Sequence, residues 1–325
     1  MLTIFTPTFN RKHLLPKLYR SLLSQTCKDF TWLIIDDGST DGTKLLVQSW
    51  IAEKQILIHY VYQENGGKMR AHNRAVELCE AELFLCIDSD DSLVEDAVET
   101  ILRAWEHAGK RLYEPGQKRM ELKEPNKELT ASGRKLKNSN RKAEGQRKKS
   151  FLAGLAAYKG KTPTETMQGE QFPPGLTRST LSGLYRKGFQ GETTLVFRTD
   201  LLRQHPFPEF SGEKFIPEAV VYDQIDQDHE LFLLPKVLTL CEYQPDGLTA
   251  GIRRLRRENP NGWLYYYQQR ISREPKGILR YKYMVHAVCF AWQVRESIFG
   301  CIPAGKLEIL TAVPAAVLFR LVGRL

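Results

Sequence analysis

The sequence predicts an α/β fold: a mixed, mostly parallel sheet flanked by helices, followed by a helical C-terminal tail. Three observations carry this expectation. Between residues 2 and 87, apolar β-type runs alternate with helically spaced ones across short loops. Three of those runs end abruptly in polar clusters, at residues 6–11, 36–41 and 88–91. From residue 264 onward the spacing is helical and rich in aromatic and aliphatic side chains.

Residues 2–5 form the first strand run. Pro7 stops it, and Asn10 is placed to cap a helix. Leu14, Leu15, Leu18, Leu22 and Leu23 then recur at helical spacing. Residues 31–35 (T-W-L-I-I) make a second strand, closed by Asp36-Asp37-Gly38-Ser39-Thr40-Asp41-Gly42. A helix over 43–52 and a third strand over 56–62 follow. Asn65-Gly66-Gly67-Lys68 is a turn leading into a helix through 71–78. Residues 83–87 (L-F-L-C-I) are the fourth strand and 93–105 the next helix. Strand and helix alternating in this way require crossover connections and a parallel sheet.

The chain has 325 residues, 42% of them hydrophobic, enough for one large α/β domain or two small ones. Its net charge of +9 is concentrated: residues 110–149 hold 14 Lys and Arg against 5 Asp and Glu, so the remainder is formally neutral. That stretch reads as a solvated insert, or as a segment attracted to anionic lipid or nucleic acid. It lacks interleaved aromatics, which argues against nucleic acid as a partner. The six cysteines show neither C-x-x-C nor zinc spacing, which suits a reducing compartment. Met1 leads directly into strand-like sequence, leaving no room for a secretory leader. The expected organisation is therefore 1–105, a basic insert 106–150, a second half 151–250 and a helical region 251–325.

Chemistry centres on Cys86-Ile87-Asp88-Ser89-Asp90-Asp91. Carboxylates at the end of a buried strand repel one another and cost desolvation. A hard divalent cation offsets that charge, and Mg²⁺ is usually held by one or two carboxylates plus substrate phosphates. The simpler alternative is that Asp90 or Asp91 only caps the following helix. Convergence decides between them, because ligands of open α/β sheets bind at the carboxyl ends of strands, where all three polar clusters fall. A carboxylate at Asp36 or Asp37 could accept from a ribose hydroxyl or base N–H. Lys68 and the Gly66–Gly67 amides could approach a phosphate.

These motifs, T-P-T-F-N-R, W-L-I-I-D-D-G-S-T-D-G-T, N-G-G-K-x-x-A-x-N-x-A and C-I-D-S-D-D, resemble those of the family 2 glycosyltransferases over residues 1–103. The resemblance implies the GT-A fold, a nucleotide-sugar donor, a Mg²⁺ or Mn²⁺ ion and inversion at the anomeric carbon. It also implies that Pro7, Thr8 and Asn10 line the nucleotide pocket, with Asp37 on the base and Asp36 beside it. Lys68 would lie near base or ribose, Asp88 and Ser89 near the ribose, and Asp90 on the metal. UDP is the expected nucleotide, and a glycan or lipid-linked glycan of the cell surface the expected acceptor.

Transfer with inversion needs a base for the acceptor hydroxyl. The resemblance implies a Glu-Asp pair after the sheet, but this chain reads Pro217-Glu218-Ala219. Glu218 is the candidate, with Asp223, Asp226 and Asp228 as alternatives. Among Arg253, Arg254, Arg256 and Arg257, one could meet the departing diphosphate while the others decorate a helix. The tail falls short of a spanning helix of about 20 apolar residues. An amphipathic helix on the inner membrane face, or one docked on protein, fits it instead. A cytoplasmic enzyme is expected. The rivals are a non-catalytic nucleotide-sugar or polyanion-binding module and a sugar-phosphate nucleotidyltransferase, though the latter wants a Gly-rich loop that 6–11 lacks.

Overall fold

The computed structural model describes residues 1–112, 151–242 and 251–322. The basic stretch from residue 113 to 150 lies outside them, as do 243–250 and the last three residues.

The chain begins β1 (Leu2–Thr8), α1 (Leu15–Leu23), β2 (Phe30–Asp36), α2 (Thr43–Glu53), β3 (Ile58–Tyr62), α3 (Lys68–Leu78) and β4 (Leu83–Cys86). A short β5 (Ser92–Leu93) precedes α4 (Ala97–Leu112). The second half holds β6 (Phe151–Thr162), β7 (Glu165–Thr166), β8 (Arg178–Ser179), α5 (Leu181–Arg186), β9 (Thr193–Arg198), α6 (Thr199–Gln204), α7 (Ala219–Ile225) and β10 (His229–Leu240). Five helices close the chain: α8 (Ile252–Glu258), α9 (Pro260–Arg273), α10 (Ile278–Gln293), α11 (Ile298–Cys301) and α12 (Lys306–Leu321).

One sheet runs β3-β2-β1-β4-β9-β6-β10-β5, with β7 on β6 and β8 on β10. The first four strands are parallel, and β9 enters antiparallel to β4. β2 is buried along its whole length, which explains its unbroken apolar sequence. In register, Thr8 pairs with Asp36 and Phe5 with Cys86, so the turns after β1, β2 and β4 leave the same edge.

The main core packs between helices and sheet. Trp32 of β2 stacks with Tyr19 of α1 and Trp50 of α2, at centroid distances of 6.0 and 5.9 Å. Its indole Nε1 donates to Thr6 Oγ1 at 3.0 Å, so the buried ring keeps its polar edge satisfied. A second core lies in the C-terminal helices around Trp263, Tyr267 and Phe290. Burying each such ring contributes about 1.5–3 kcal/mol.

The acidic turn is anchored from behind. Gln25, buried after α1, donates to the Val94 carbonyl at 2.8 Å and accepts from the Val98 amide at 3.0 Å. This fixes the exit of the chain from Asp91.

Several boundaries differ from expectation for identifiable reasons. The helix expected over 93–105 starts at Ala97, because Ser92 and Leu93 pair with β10 instead. It runs on to Leu112, into the stretch expected to be insert. The strand pair expected at 231–234 and 236–242 is a single strand, and Pro235, which lacks an N–H, falls in an irregularity of its ladder with β6. Asn10 caps no helix: it takes a left-handed φ of 54° in the turn.

Candidate active site

The three turns meet at a cleft of about 850 Å³ along the carboxyl edge of the parallel strands. Pro7, Thr8 and Phe9 enter it from β1, Asp37 from β2, and Asp88, Ser89, Asp90 and Asp91 from β4. Its far wall comes from the chain after α6 and from α8.

The turn before α3 is shaped by a carboxylate. Asp37 Oδ1 accepts from the Gly66 amide at 2.8 Å and Gln63 Nε2 at 2.7 Å, and Oδ2 from the Gly67 amide at 2.7 Å. Gly67 has φ of 92°, and a Cβ there would overlap the Lys214 carbonyl, so glycine is required. The result points α3's first residue, Lys68, into the cleft. A carboxylate offers about four lone-pair sites, so Asp37 retains room for one further donor from a ligand.

Lys68 is the hinge of the charge network. Its Nζ lies 2.7 Å from Asp88 Oδ1 and 2.8 Å from Glu218 Oε1. Burial alone would lower its pKa, but the two carboxylates outweigh burial and hold it well above the usual lysine range. Burial likewise pushes Asp88 up, and Lys68 and Lys159 more than offset it, leaving that carboxyl below its ordinary value. Lys159 of β6 lies 3.1 Å from Asp91 Oδ2. Asp91 is nonetheless shifted upward, because its burial outweighs that lysine.

Asp90 differs from both neighbours. It makes no ion pair among the described residues, and burial together with the Asp88 charge raises its pKa. Charge of this kind fits a cation. No cluster of three or more His, Cys, Asp or Glu side chains could cage a metal among the described residues. Such a cage is unnecessary for Mg²⁺ or Mn²⁺ held between one or two carboxylates and a substrate diphosphate, and that is the arrangement the donor set fits. Thr8 Oγ1, in the cleft wall, is buried without a hydrogen-bond partner among the described residues, which suits a wall completed by a ligand.

Beyond Glu218 a second cleft of about 530 Å³ opens, and the two share Lys159 and Glu192 on their rims. Glu218, Tyr222, Asp223 and Arg270 line the second one. Glu218 sits just before α7, half-exposed, with no capping bond from its side chain to that helix. Its free face looks onto the second cleft while Lys68 ties it to the first.

Some expected site residues lie elsewhere. Asp36 is fully buried and lines neither cleft: its oxygens accept from the Ser39 amide at 2.8 Å and the Tyr60 hydroxyl at 2.6 Å. Asn10 lines neither cleft and cross-ties the turns instead, accepting from the Thr40 amide at 2.8 Å. Asp226 binds the Leu181 and Ser182 amides at 3.0 and 2.7 Å, so its carboxylate is consumed in starting α5. Asp228 also lines neither cleft. Of the four arginines, Arg254 faces the large cleft, whereas Arg256 lies 5.1 Å over the Trp263 ring.

Other site residues carried weak sequence signals. Lys159 follows an apolar run in β6, and a lysine held in a strand against a buried acid is satisfied by that acid. Phe9 is an exposed aromatic on the cleft wall, directly after a strand. Lys214, whose Nζ donates to Asn65 Oδ1 at 2.6 Å, and Asn259 carried no local signal.

The strand order reverses between β1 and β4, and the acidic, lysine-bridged cleft lies at the carboxyl ends of those strands, where open α/β sheets bind their ligands. Residues 3–159 match the family described as Glycosyl transferase family 2, and they form a family 2 glycosyltransferase domain. Curated relatives match about a third of the chain. Chondroitin synthase of Escherichia coli is 36% identical over 102 residues, 31% of this chain and 15% of that protein. The putative teichuronic acid biosynthesis glycosyltransferase TuaG of Bacillus subtilis is 33% identical over 102 residues, 30% of this chain and 39% of that one. The GalNAc(5)-diNAcBac-PP-undecaprenol beta-1,3-glucosyltransferase of Campylobacter jejuni is 31% identical over 107 residues. The chain thus spans well under half the length of these relatives.

Solved structures extend the likeness of fold. Residues 1–349 of S. aureus TarS, in complex with UDP-GlcNAc, superpose with a TM-score of 0.54 at 15% identity, covering 90% of this chain and 72% of that one. The mannosyltransferase PcManGT from Pyrobaculum calidifontis, in complex with GDP-Man and Mn²⁺, gives 0.51 at 17%, covering 98% and 80%. The expected GT-A-like architecture with a helical C-terminal region is therefore present.

Proposed function

We propose that the chain is an inverting glycosyltransferase that moves one sugar from a nucleotide-sugar, UDP-linked by preference, to a hydroxyl of a glycan or lipid-linked glycan in cell-surface polysaccharide synthesis. The observation that carries this is Lys68, which joins Asp88 of the nucleotide half to Glu218 on the rim of the second cleft. Donor and acceptor thereby meet at one ion-paired junction. The names of the B. subtilis and C. jejuni relatives support the acceptor class. The enzyme would work in the cytoplasm, against the inner membrane face. Among the described residues no helix is long and apolar enough to cross a membrane.

The donor's nucleotide would occupy the large cleft, with Phe9 against the base and Asp37 accepting one N–H. Asp90, with Asp88 beside it, would hold Mg²⁺ or Mn²⁺. When bound, such an ion supplies Lewis-acid neutralisation of the leaving diphosphate. Glu218 takes the acceptor O–H proton as the oxygen attacks the anomeric carbon. The bond to the nucleoside diphosphate breaks on the opposite face, and its electron pair leaves with the phosphate. Lys68, 2.8 Å from Glu218 Oε1, orients that carboxylate toward the acceptor. Arg254 is placed on the cleft wall to meet growing negative charge.

The test is calorimetric titration of UDP, GDP and TDP with and without Mn²⁺, on the parent and on Asp90→Ala. Metal-dependent binding of one nucleotide, lost in the variant, is the expected result. Unchanged binding by Asp90→Ala would remove the metal assignment. Failure of every nucleotide to bind would favour the polyanion-binding rival.

A further inference from the structure

We infer that the outer face of α12 is a docking surface for an anionic lipid bilayer. Leu307, Leu310, Val317, Leu318 and Leu321 follow a helical repeat along one side of that helix. Leu307, Leu318 and Leu321 are 82%, 63% and 77% exposed. The opposite side, Ile309, Ala312 and Ala316, is buried in the second core. The helix is thus apolar on both faces, and only one is covered. Its 16 residues make a strip about 24 Å long. Ile278 and Leu279, also exposed, extend the strip, because Arg280 of α10 pairs with Glu308 of α12 at 2.8 Å and brings the two helix starts together.

Charge identifies the occupant. Residues 251–325 carry 13 Lys and Arg against 4 Asp and Glu, a net of +9. The insert carries +9 as well, so the rest of the chain carries −9, and the neutrality outside the insert is a sum of opposites. Between residues 276 and 322 the exposed charges are five cations, Lys276, Lys282, Arg295, Lys306 and Arg320, and one carboxylate, Glu296. A second copy would bring like charge against like. The 113–150 segment is basic and poor in large apolar residues, so it complements the strip in neither respect. An anionic bilayer matches both, taking the aliphatic strip into its headgroup boundary while the cations meet its surface.

The inference concerns partitioning and needs no assumption about the reaction. The full chain is sedimented with phosphatidylcholine vesicles, with the same vesicles containing phosphatidylglycerol, and with the latter in high salt. The comparison is a variant carrying Leu307→Gln, Leu310→Gln, Leu318→Gln and Leu321→Gln, all solvent-facing and helix-compatible. A control carries Leu45→Gln and Leu57→Gln, exposed apolar residues on the other half of the molecule. Binding to anionic vesicles, weakened by salt, reduced about tenfold or more in the α12 variant and unchanged in the control, is expected. Three results would each overturn the inference: no binding to anionic vesicles, which leaves an acidic protein as the occupant; equal binding by the α12 variant, which transfers the role to the insert; or a parent dimer in solution that the variant dissolves.

Discussion

The Lys68–Glu218 contact separates the base candidates by experiment. Glu218→Gln should lower kcat about 10²–10⁴-fold, the usual contribution of a positioned base, while nucleotide binding stays near the parent's. Asp226→Asn should keep near-parental turnover, since its carboxylate starts α5 rather than facing substrate. A single-turnover assay on both variants checks the pair, and the reverse ranking would exchange their roles. Glu218 was legible as a candidate because it stands where the family resemblance implies a Glu-Asp pair, whereas the occupation of Asp226 by two α5 amides depends on a tertiary contact that no local pattern displays. His72 makes a second prediction at this scale. It is buried among Phe5, Phe84 and Phe207, with ring centroids 5.1–5.8 Å away, and burial lowers its pKa to about 4. Its folded pKa lies below the unfolded value of about 6.5, so the folded state binds fewer protons. Stability from this residue is therefore complete above pH 6.5 and declines as pH falls toward 4, by roughly 3 kcal/mol in total. His72→Phe should flatten that part of the pH dependence of the urea midpoint. Equal slopes in both proteins would show that the imidazole is not excluded from water.

Among the elements, the parallel half was readable because each strand is an unbroken apolar run and each polar turn follows one. The second half was less so. β10 absorbs Pro235 in a ladder irregularity, and β5 is only two residues long, so its pairing with β10 outweighs the helical pattern that the sequence suggests for Leu93. The far wall of the cleft was legible only at the arginines of α8, because the rest of it depends on caps between segments distant in sequence. Glu213 accepts from the Asn261 and Gly262 amides at the start of α9, at 2.7 and 2.8 Å. Asn259 returns the contact, accepting from the Lys214 and Phe215 amides at 2.7 and 3.0 Å. A carboxylate at a helix start satisfies free amides and opposes the helix dipole favourably. Glu213→Ala should cost about 1–2 kcal/mol by chemical denaturation. Since Gly212, Lys214 and Phe215 line the large cleft, the same change should raise the donor KM more than it lowers kcat. A variant that loses stability with KM unchanged would show that this wall makes no contact with donor.

At the scale of the whole molecule, the two hydrophobic cores must act as one for the second cleft to hold its shape. One link between them is α7, which follows Glu218 directly and packs on α9. Asp223 of α7 lies 2.7 Å from Arg270 Nε and 4.0 Å from Arg273 Nη1. Gln269 Nε2 donates to the Val220 carbonyl at 2.9 Å beside them. In the sequence Asp223 reads as an alternative base, because nothing near it announces arginines on a distant helix. Burial pushes its carboxyl up to about 6 against the pull of both arginines, so desolvation is the larger influence on this group. That balance sets the expected behaviour of substitutions. Removing one partner of a buried pair strands the other charge and costs about 3–5 kcal/mol, whereas replacing both by apolar groups of similar size is often neutral or stabilising. Arg270→Met should therefore destabilise the fold by about 3–5 kcal/mol, and Arg270→Met with Asp223→Leu should recover most of it. Transfer should not recover in step if the second cleft takes the acceptor as proposed, because both side chains line that cleft and the apolar pair cannot accept or donate to a sugar hydroxyl. Denaturation midpoints and turnover measured on the parent, the single variant and the double variant would distinguish the two roles. If stability and turnover returned together, the pair would be purely a clasp between the cores. If neither returned, packing of α7 on α9 would depend on the charges themselves.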